Sequence, residues 1–322
     1  MLQDYKDGAI DVFVCDGMST DATTALVEKY ALTHPMVHVL MNKKQTTPFA
    51  LNLGIRKSEA DVVIILGAHS ELYPDYISKC MEAFSLGTNI GCTGGIIENE
   101  YENETAEVIG KAMSSSFGVG NAHFRTGNKN GYVDTVAFGA YKREVFSKVG
   151  YFDEELIRNQ DDEFNYRVTK AGFKIYLYSE IRCKYFVRAS FGKLFKQYYQ
   201  YGYWKVYVAK KHHAVTTFRQ LVPLFFVLFL IGTPVLLLFN SVFIHNSSFE
   251  FFVLCAYILG LLLYMLVSLI SSLMLSLDSM KACEIGLSFF ILHYSYGWGY
   301  LIGIIDFFIF QKQIKKEESL TR

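Results

Sequence analysis

Apolar and polar positions fall into two regimes along this chain. Up to about Lys211, short apolar runs alternate with charged stretches; from Leu221 onward the apolar runs become long. Residues 9–15 (AIDVFVC) form an apolar run that ends in Asp16-Gly17, the pattern of a buried strand leading into a turn. Thr20 or Asp21 can cap a helix over about residues 22–33. A second strand is predicted at 37–41, a helix at 48–57, a third buried strand at 61–66 (DVVIIL) and a helix at 74–84. Strands alternating with helices predict an α/β domain, a mostly parallel, Rossmann-like sheet covered by helices. Ligands of such sheets lie at the carboxyl ends of the strands, here residues 16–21 and 67–71.

The second regime predicts membrane helices. Residues 221–239 and 251–274 are charge-free and long enough to cross a bilayer core of about 30 Å. Residues 285–310 are similar in length but include His293 and Asp306. Lys205, Lys210, Lys211 and Arg219 precede the first span, and residues 240–250 contain no Lys or Arg. The predicted orientation therefore puts the N-terminal domain in the cytoplasm and the loop outside, with Lys281 inside again. A third full span would carry Lys312, Lys315 and Lys316 outside, against the same rule, so that segment is re-entrant, interfacial or an exception. The expected division is residues 1–210 as the α/β domain and 211–322 as the membrane region, a multi-pass protein of the cell membrane.

Composition narrows the classes. A mean hydropathy of +0.20 is high for a soluble protein of 322 residues. The 31 basic and 31 acidic side chains cancel, so nothing points to nucleic acid. The six cysteines show no CxxC pair, and reduced, buried thiols are expected.

Several motifs follow one another in order. Asp16-Gly17-Met18-Ser19-Thr20-Asp21-Ala22-Thr23 comes first, then Asn52-Leu53-Gly54-Ile55 and Gly67-Ala68-His69. Next come residues 133–141 (VDTVAFGAY), Gln160-Asp161-Asp162-Glu163 and residues 197–205 (QYYQYGYWK). Together they resemble family 2 glycosyltransferases of the GT-A fold, most closely the exopolysaccharide enzymes of the succinoglycan type. The resemblance covers most of residues 8–210 and implies inverting transfer of a sugar from a nucleotide-sugar donor, such as a UDP-sugar, to a saccharide acceptor. The acceptor would be polyprenyl-linked and the product an exopolysaccharide or capsule.

Site residues follow by position. The resemblance implies donor contacts at Asp16, Gly17, Ser19, Asp21 and Asn52, with the Asp16 carboxylate accepting from a uracil-like base. Gly67-Ala68-His69 stands where the family has its D-x-D element, so His69 is the candidate ligand of a divalent Mn2+ or Mg2+, although carboxylates suit those ions better. Asp161 stands where the family has its catalytic base, with Asp162 as the neighbouring candidate and Gln160 in place of a Glu. Asp134, Gln197 and Trp204 are the acceptor-side candidates. Plainer roles remain open: a turn cap for Asp16, a structural hydrogen bond for His69, a dipole-favoured helix start for Asp161 and Asp162, and an amphipathic surface helix for 197–205.

Family members begin with an apolar strand and an I-P-x-x-N-E-like turn, and Leu2-Gln3-Asp4-Tyr5 resembles the end of the helix that follows it. This implies a preceding βα unit of roughly 30–40 residues, and weak or no transfer by these residues alone. Two other classes compete: a catalytically impaired relative acting as a binding or assembly subunit, and a transporter, which the near absence of intramembrane charge disfavours. A processive synthase would call for more spans and an intact Q-x-x-R-W element.

Overall fold

A computed structural model describes residues 3–127, 129–214 and 218–314, with no account of the Phe218 side chain. Lys315 and Lys316 of the orientation argument lie outside the described residues. The chain runs through β1 (Val12–Asp16), α1 (Thr23–Ala31), β2 (Val37–Met41), α2 (Thr47–Lys57), β3 (Val62–Ile64), β4 (Ser70–Leu72), α3 (Tyr76–Ala83) and β5 (Ile90–Glu100). It continues through α4 (Glu104–Met113), α5 (Ser116–Val119), α6 (His123–Thr126), β6 (Gly131–Val133), β7 (Ala137–Lys142), α7 (Arg143–Val149), α8 (Gln160–Lys170) and β8 (Lys174–Phe186). Four long helices close it: α9 (Phe191–His212), α10 (Val222–Phe239), α11 (Ser247–Leu275) and α12 (Ser279–Ile304). Two compact units result, Met1–Glu98 with His123–Tyr185 and Gln313–Arg322, and Asn99–Ala122 with Phe186–Lys312.

In the first unit the early elements form where periodicity places them. β1 and β2 pair in parallel as a two-stranded sheet, Val12 opposite Val37 and Asp16 opposite Met41. A six-stranded sheet has the order β3-β7-β5-β8-β4, with β6 also on β8. Its ladders β3–β7, β5–β7, β4–β8 and β6–β8 are antiparallel. β5 and β8 run the same way, since Lys174 N–H donates to Asn89 C=O at one end and Val187 N–H to Glu100 C=O at the other. The sheet is thus mixed rather than mostly parallel. β7 stands between β3 and β5, antiparallel to both, and an alternation of strands and helices does not fix the direction of a strand whose partners are distant in sequence.

The core between sheet and helices is aromatic. Phe164 of α8 stacks on Phe152 at 4.4 Å and on Phe146 at 5.3 Å, and Tyr141 of β7 meets it edge-on at 5.4 Å. Such pairs add to the area they bury, by about 0.5–1.5 kcal/mol each. Arg143 fastens α7 to the end of α2, donating to the Ile55 carbonyl and to Ser58 Oγ.

The six cysteines are free, with Cys80, Cys92 and Cys183 buried, as expected, and Cys255 and Cys283 exposed. Burial pushes the Cys183 thiol up to about 12, which keeps it unreactive.

In the second unit, α9 and α12 lie side by side in the same direction. A Cβ at Gly202 would overlap the Tyr296 carbonyl, one at Gly299 the Tyr199 carbonyl, and one at Gly303 would come within 2.8 Å of the Tyr203 carbonyl. Glycine at these positions lets the backbones touch. Asp278 caps α12, accepting from Met280 N–H and Lys281 N–H at 2.9 Å each. Among the described residues two helical stretches are long and apolar enough to cross a membrane, Arg219–Ile244 and Ser247–Leu275, with 11% and 6% of their most apolar windows buried. α12, the third apolar segment, instead buries one face, including Ile285, Phe289 and Leu292.

Glu107 of α4 joins this unit together, pairing at 2.8 Å with both Lys111 and Lys281. These lysines hold its carboxyl at about 2, well below the ordinary 4.5. A depressed carboxylate stabilises the fold above its unfolded pKa and loses that contribution as pH falls through the folded one. The thermal midpoint of the detergent-solubilised chain should therefore fall as pH drops from about 4.5 towards 2, and the acid-induced fall should be smaller in Glu107→Gln, measured by differential scanning fluorimetry.

Candidate functional site

Asp16 closes β1 and is almost fully buried. Its Oδ2 accepts from Ser19 N–H at 2.8 Å and from the Thr24 hydroxyl at 3.2 Å. These bonds, Ser19's foremost, hold its carboxyl below the usual carboxylate range. They also fold residues 16–19 into a tight loop in which Met18 takes φ +62°, a left-handed conformation unusual for a side-chain-bearing residue. Gly17 faces Gln45, where a Cβ would sit 3.9 Å from that residue's Cα. The Asp16 carbonyl accepts from Asn42 N–H at 2.7 Å, and Asn42 Nδ2 donates to the Thr46 carbonyl at 2.8 Å. The Thr46 hydroxyl, at the N-terminus of α2, is buried without a hydrogen-bond partner. Thr46 was not among the sequence candidates; a Thr just before Thr47-Pro48 marks a helix start, and only burial exposes its unsatisfied oxygen.

A second group gathers around the start of β7. Ile65 N–H donates to Gly139 C=O, so residues 65–69 pass beside β7. In the turn that follows, Ser70 Oγ donates to the Gly67 carbonyl at 2.6 Å and His69 projects into solvent. A Cβ at Gly67 would lie 3.3 Å from the Phe138 ring, which restricts any longer side chain there. Phe138 itself takes φ +47°, and its carbonyl accepts from the buried Tyr76 hydroxyl at 2.7 Å. Strain of this kind persists only where surrounding contacts enforce it.

α8 brings the acidic residues to the same neighbourhood. Asp161 and Asp162 occupy its first turn, Asp161 exposed and Asp162 half-buried. One turn on, Asn165 accepts from the Tyr141 hydroxyl at 2.8 Å and donates to Thr135 Oγ1 at 3.1 Å, which ties α8 to the segment carrying exposed Asp134. Behind them, buried Glu163 takes Arg167 in a two-point pair of 2.7 and 2.8 Å, while Arg167 also donates to the Val149 and Tyr151 carbonyls. The structure thus groups the His69 turn, Asp134 and Asp161–Asp162 about β7. Asp16 lies in the β1–β2 sheet, linked to them by α2, whose Gly54 packs on Cys15 and whose Ile55 enters the core beside Tyr141 and Phe164.

Four of the expected site residues have partners within the fold. Asn52 is buried and its amide is fully engaged: Nδ2 donates to the Phe152 carbonyl and to Glu154, and Oδ1 accepts from Phe152 N–H, all at 2.9 Å. It clamps α2 to residues 152–154. Asp21 accepts from Thr23 N–H at 3.0 Å in the turn just before α1. Gln197 is buried and donates to the Tyr201 hydroxyl at 2.8 Å. Trp204 is buried among Tyr203, Tyr207 and Phe307. Both are interior parts of the second unit. The Glu163–Arg167 pair was legible as an i, i+4 spacing; the Asn165 bridge had no signal in the chain.

Among the described residues no three His, Cys, Asp or Glu side chains converge as a metal cage. His69 offers one exposed imidazole. A divalent ion here fits only as one that takes its remaining ligands from phosphate and water, the usual habit of Mg2+ beside phosphates.

Residues 2–150 match the sequence model described as Glycosyl transferase family 2. The chain is 27% identical over 314 residues to the dolichyl N-acetyl-alpha-D-glucosaminyl phosphate 3-beta-D-2,3-diacetamido-2,3-dideoxy-beta-D-glucuronosyltransferase of Methanococcus voltae, covering 94% of this chain and 90% of that one. It is 29% identical to the succinoglycan biosynthesis protein ExoA of Rhizobium meliloti, over 66% of this chain and 65% of that one. Among solved structures it is similar to the mannosyltransferase PcManGT of Pyrobaculum calidifontis in complex with GDP-Man and Mn2+. The TM-score is 0.56 at 14% identity, covering 95% of this chain and 81% of that one. At that identity the likeness shows the fold alone.

Asn52→Ala should lower stability by about 1–3 kcal/mol, because it orphans the buried Phe152 amide and carbonyl. Thermal unfolding should show the loss, with nucleotide-sugar affinity of the folded protein unchanged. An unchanged midpoint with weakened binding would restore Asn52 to the donor site.

Proposed function

We propose that the chain carries a family 2 glycosyltransferase domain of GT-A fold and moves a sugar from a nucleotide-sugar donor to a saccharide acceptor with inversion at the anomeric carbon. The observation that carries this reading is the placement of Asp161. It is exposed at the first turn of a helix whose start is fixed by the buried Glu163–Arg167 pair, beside the segment of Asp134. There its carboxylate takes the proton of an acceptor hydroxyl as that oxygen attacks the anomeric carbon and the bond to the diphosphate breaks. The helix N-terminus favours the ionised form before the transfer. Asp162, half-buried, is the alternative base, and Asp134 orients the acceptor.

Asp16 serves the donor. Its carboxylate, oriented by Ser19 and Thr24, accepts from the base, a uracil in a UDP-sugar. Gly17 and Ser19 shape the same loop, and the unpartnered Thr46 hydroxyl is a further donor contact. His69 would hold a divalent ion, Mn2+ or Mg2+, which supplies charge neutralisation for the leaving diphosphate.

The membrane part of the proposal is a hairpin of α10 and α11. Their apolar side chains are exposed, and the lysines and arginine flanking the pair all sit at its near end. This supports a multi-pass protein of the cell membrane with a cytoplasmic catalytic domain and a polyprenyl-linked acceptor, in exopolysaccharide or capsule synthesis. A second reading, an impaired relative with a binding role, is favoured by Gly67 alone, since the Phe138 ring restricts a carboxylate at that position.

In membranes carrying the full chain, Asp161→Asn should lower transfer of labelled sugar by about 10²–10⁴-fold while nucleotide-sugar binding persists. Unchanged transfer by both Asp161→Asn and Asp162→Asn would end the catalytic assignment. Asp16→Ala should weaken nucleotide binding by roughly 10–100-fold, the worth of one charge-assisted hydrogen bond, measured by isothermal titration calorimetry.

A further inference from the structure

We propose that α12 lies in the plane of the membrane interface, with one long face against lipid, and does not cross the bilayer. The proposal rests on the reading of α10 and α11 as a transmembrane hairpin. The first observation is a continuous stripe. Met280, Leu287 and Phe290 are exposed, Tyr294 and Trp298 follow at the same helical spacing, and exposed Phe308 lies beyond them. Phe290 stacks on Tyr294 at 5.5 Å and Tyr294 on Trp298 at 6.3 Å, forming an aromatic ladder. Tyr and Trp concentrate where lipid headgroups meet hydrocarbon, and a helix with one apolar face lies flat at that level.

The second observation is what covers the other face. α9 runs along α12 in backbone contact at Gly202, Gly299 and Gly303. The Tyr203 hydroxyl donates to Asp306 at 2.8 Å, and Lys210 Nζ donates to the Phe307 carbonyl at 2.6 Å. α9 carries Lys193, Lys196, Lys205, Lys210 and Lys211, and so many charges are strongly disfavoured in hydrocarbon. A helix bound to α9 in this way stays at its level. Charged pairs also mark both ends of α12: Lys281 with Glu107 at 2.8 Å, and Lys312 with Asp306 at 3.7 Å. Lys281 and Asp306 are about 37 Å apart along a helix, enough to put one of them through the far leaflet if α12 crossed.

The third observation is where α12 meets the hairpin. A Cβ at Gly297 would overlap the Pro223 carbonyl and touch Val227, and Phe226 packs on Phe290 at 6.2 Å. His293 Nδ1 lies 3.0 Å from the Tyr264 hydroxyl, and Gly286 faces Ser268 and Ser272. These contacts fall in the first turns of α10 and the last turns of α11, the two ends of the hairpin that return to one side. α12 therefore crosses the foot of the hairpin, and the stripe continues the hairpin's lipid-facing surface. With α12 in plane, Lys281 and Lys312 stay on one side, and the conflict with the charge rule disappears.

The test uses the full chain in sealed proteoliposomes, with Cys15, Cys255 and Cys283 replaced by serine. Single cysteines are introduced as Ser241→Cys, Leu277→Cys and Gln311→Cys and reacted with a membrane-impermeant maleimide from each side. The expected result is Leu277→Cys and Gln311→Cys labelled from one side and Ser241→Cys from the other. Gln311→Cys labelled together with Ser241→Cys would make α12 a third span and overturn the proposal while leaving the hairpin intact. Ser241→Cys labelled together with Leu277→Cys would remove the hairpin and the proposal with it. A second measurement uses the chain's two tryptophans. In Trp204→Phe only Trp298 remains, and lipids brominated near the headgroup should quench it more than lipids brominated near the chain ends. Absence of quenching by either lipid would overturn the lipid contact.

Discussion

A buried ion pair holds the acidic end of α8 where it is. Glu163 is 1% exposed, and Arg167 reaches it with two nitrogens while binding the Val149 and Tyr151 carbonyls. A lone buried carboxylate is costly; one met by a two-pronged guanidinium within a helical turn is tolerated and fixed in direction. The segment between α7 and α8 is thereby drawn against the helix, and the aromatic cluster of Phe146, Phe152 and Phe164 closes beneath it. The exposure of Asp161 follows from this arrangement, since its helix has no freedom to turn the first-turn carboxylates inward.

Asp16 is placed by a different means, the hydrogen bonds of a loop. Ser19, Thr24 and Asn42 fasten its carboxylate and carbonyl. The carboxylates of Asp161 and Asp16 thus differ in support: the helical turn of one rests on a charged clamp in the core, the other on neutral donors at a strand end. α2 relates the two through Gly54 and Ile55, with Asn52 locking it to residues 152–154. The Asn52 amide thereby fixes how α2 stands between them.

The early elements were legible because each answers to a local period. The strands at 12–16 and 37–41 and the helix at 47–57 fall where apolar runs and a Thr-Pro start put them. Strand direction in the larger sheet was not legible, because β7 pairs with β3 and β5 across long separations that no local pattern encodes. The partners of Asn52, Gln197 and Trp204 were not legible for a related reason. A motif fixes residue type and spacing, whereas whether an amide or ring is free depends on partners such as Phe152, a hundred residues away. Asp161 and His69 stand exposed at a helix start and a strand end, which are local features a sequence can mark.

The glycine seam between α9 and α12 has a mechanical consequence. Carbonyls of each helix sit in notches of the other at Gly202 and Gly299, so neither can slide along its neighbour by a fraction of a turn without collision. The two helices therefore move as one rod. With α12 resting on lipid as proposed, a tilt imposed along Phe290, Tyr294 and Trp298 would carry the basic helix through the same angle.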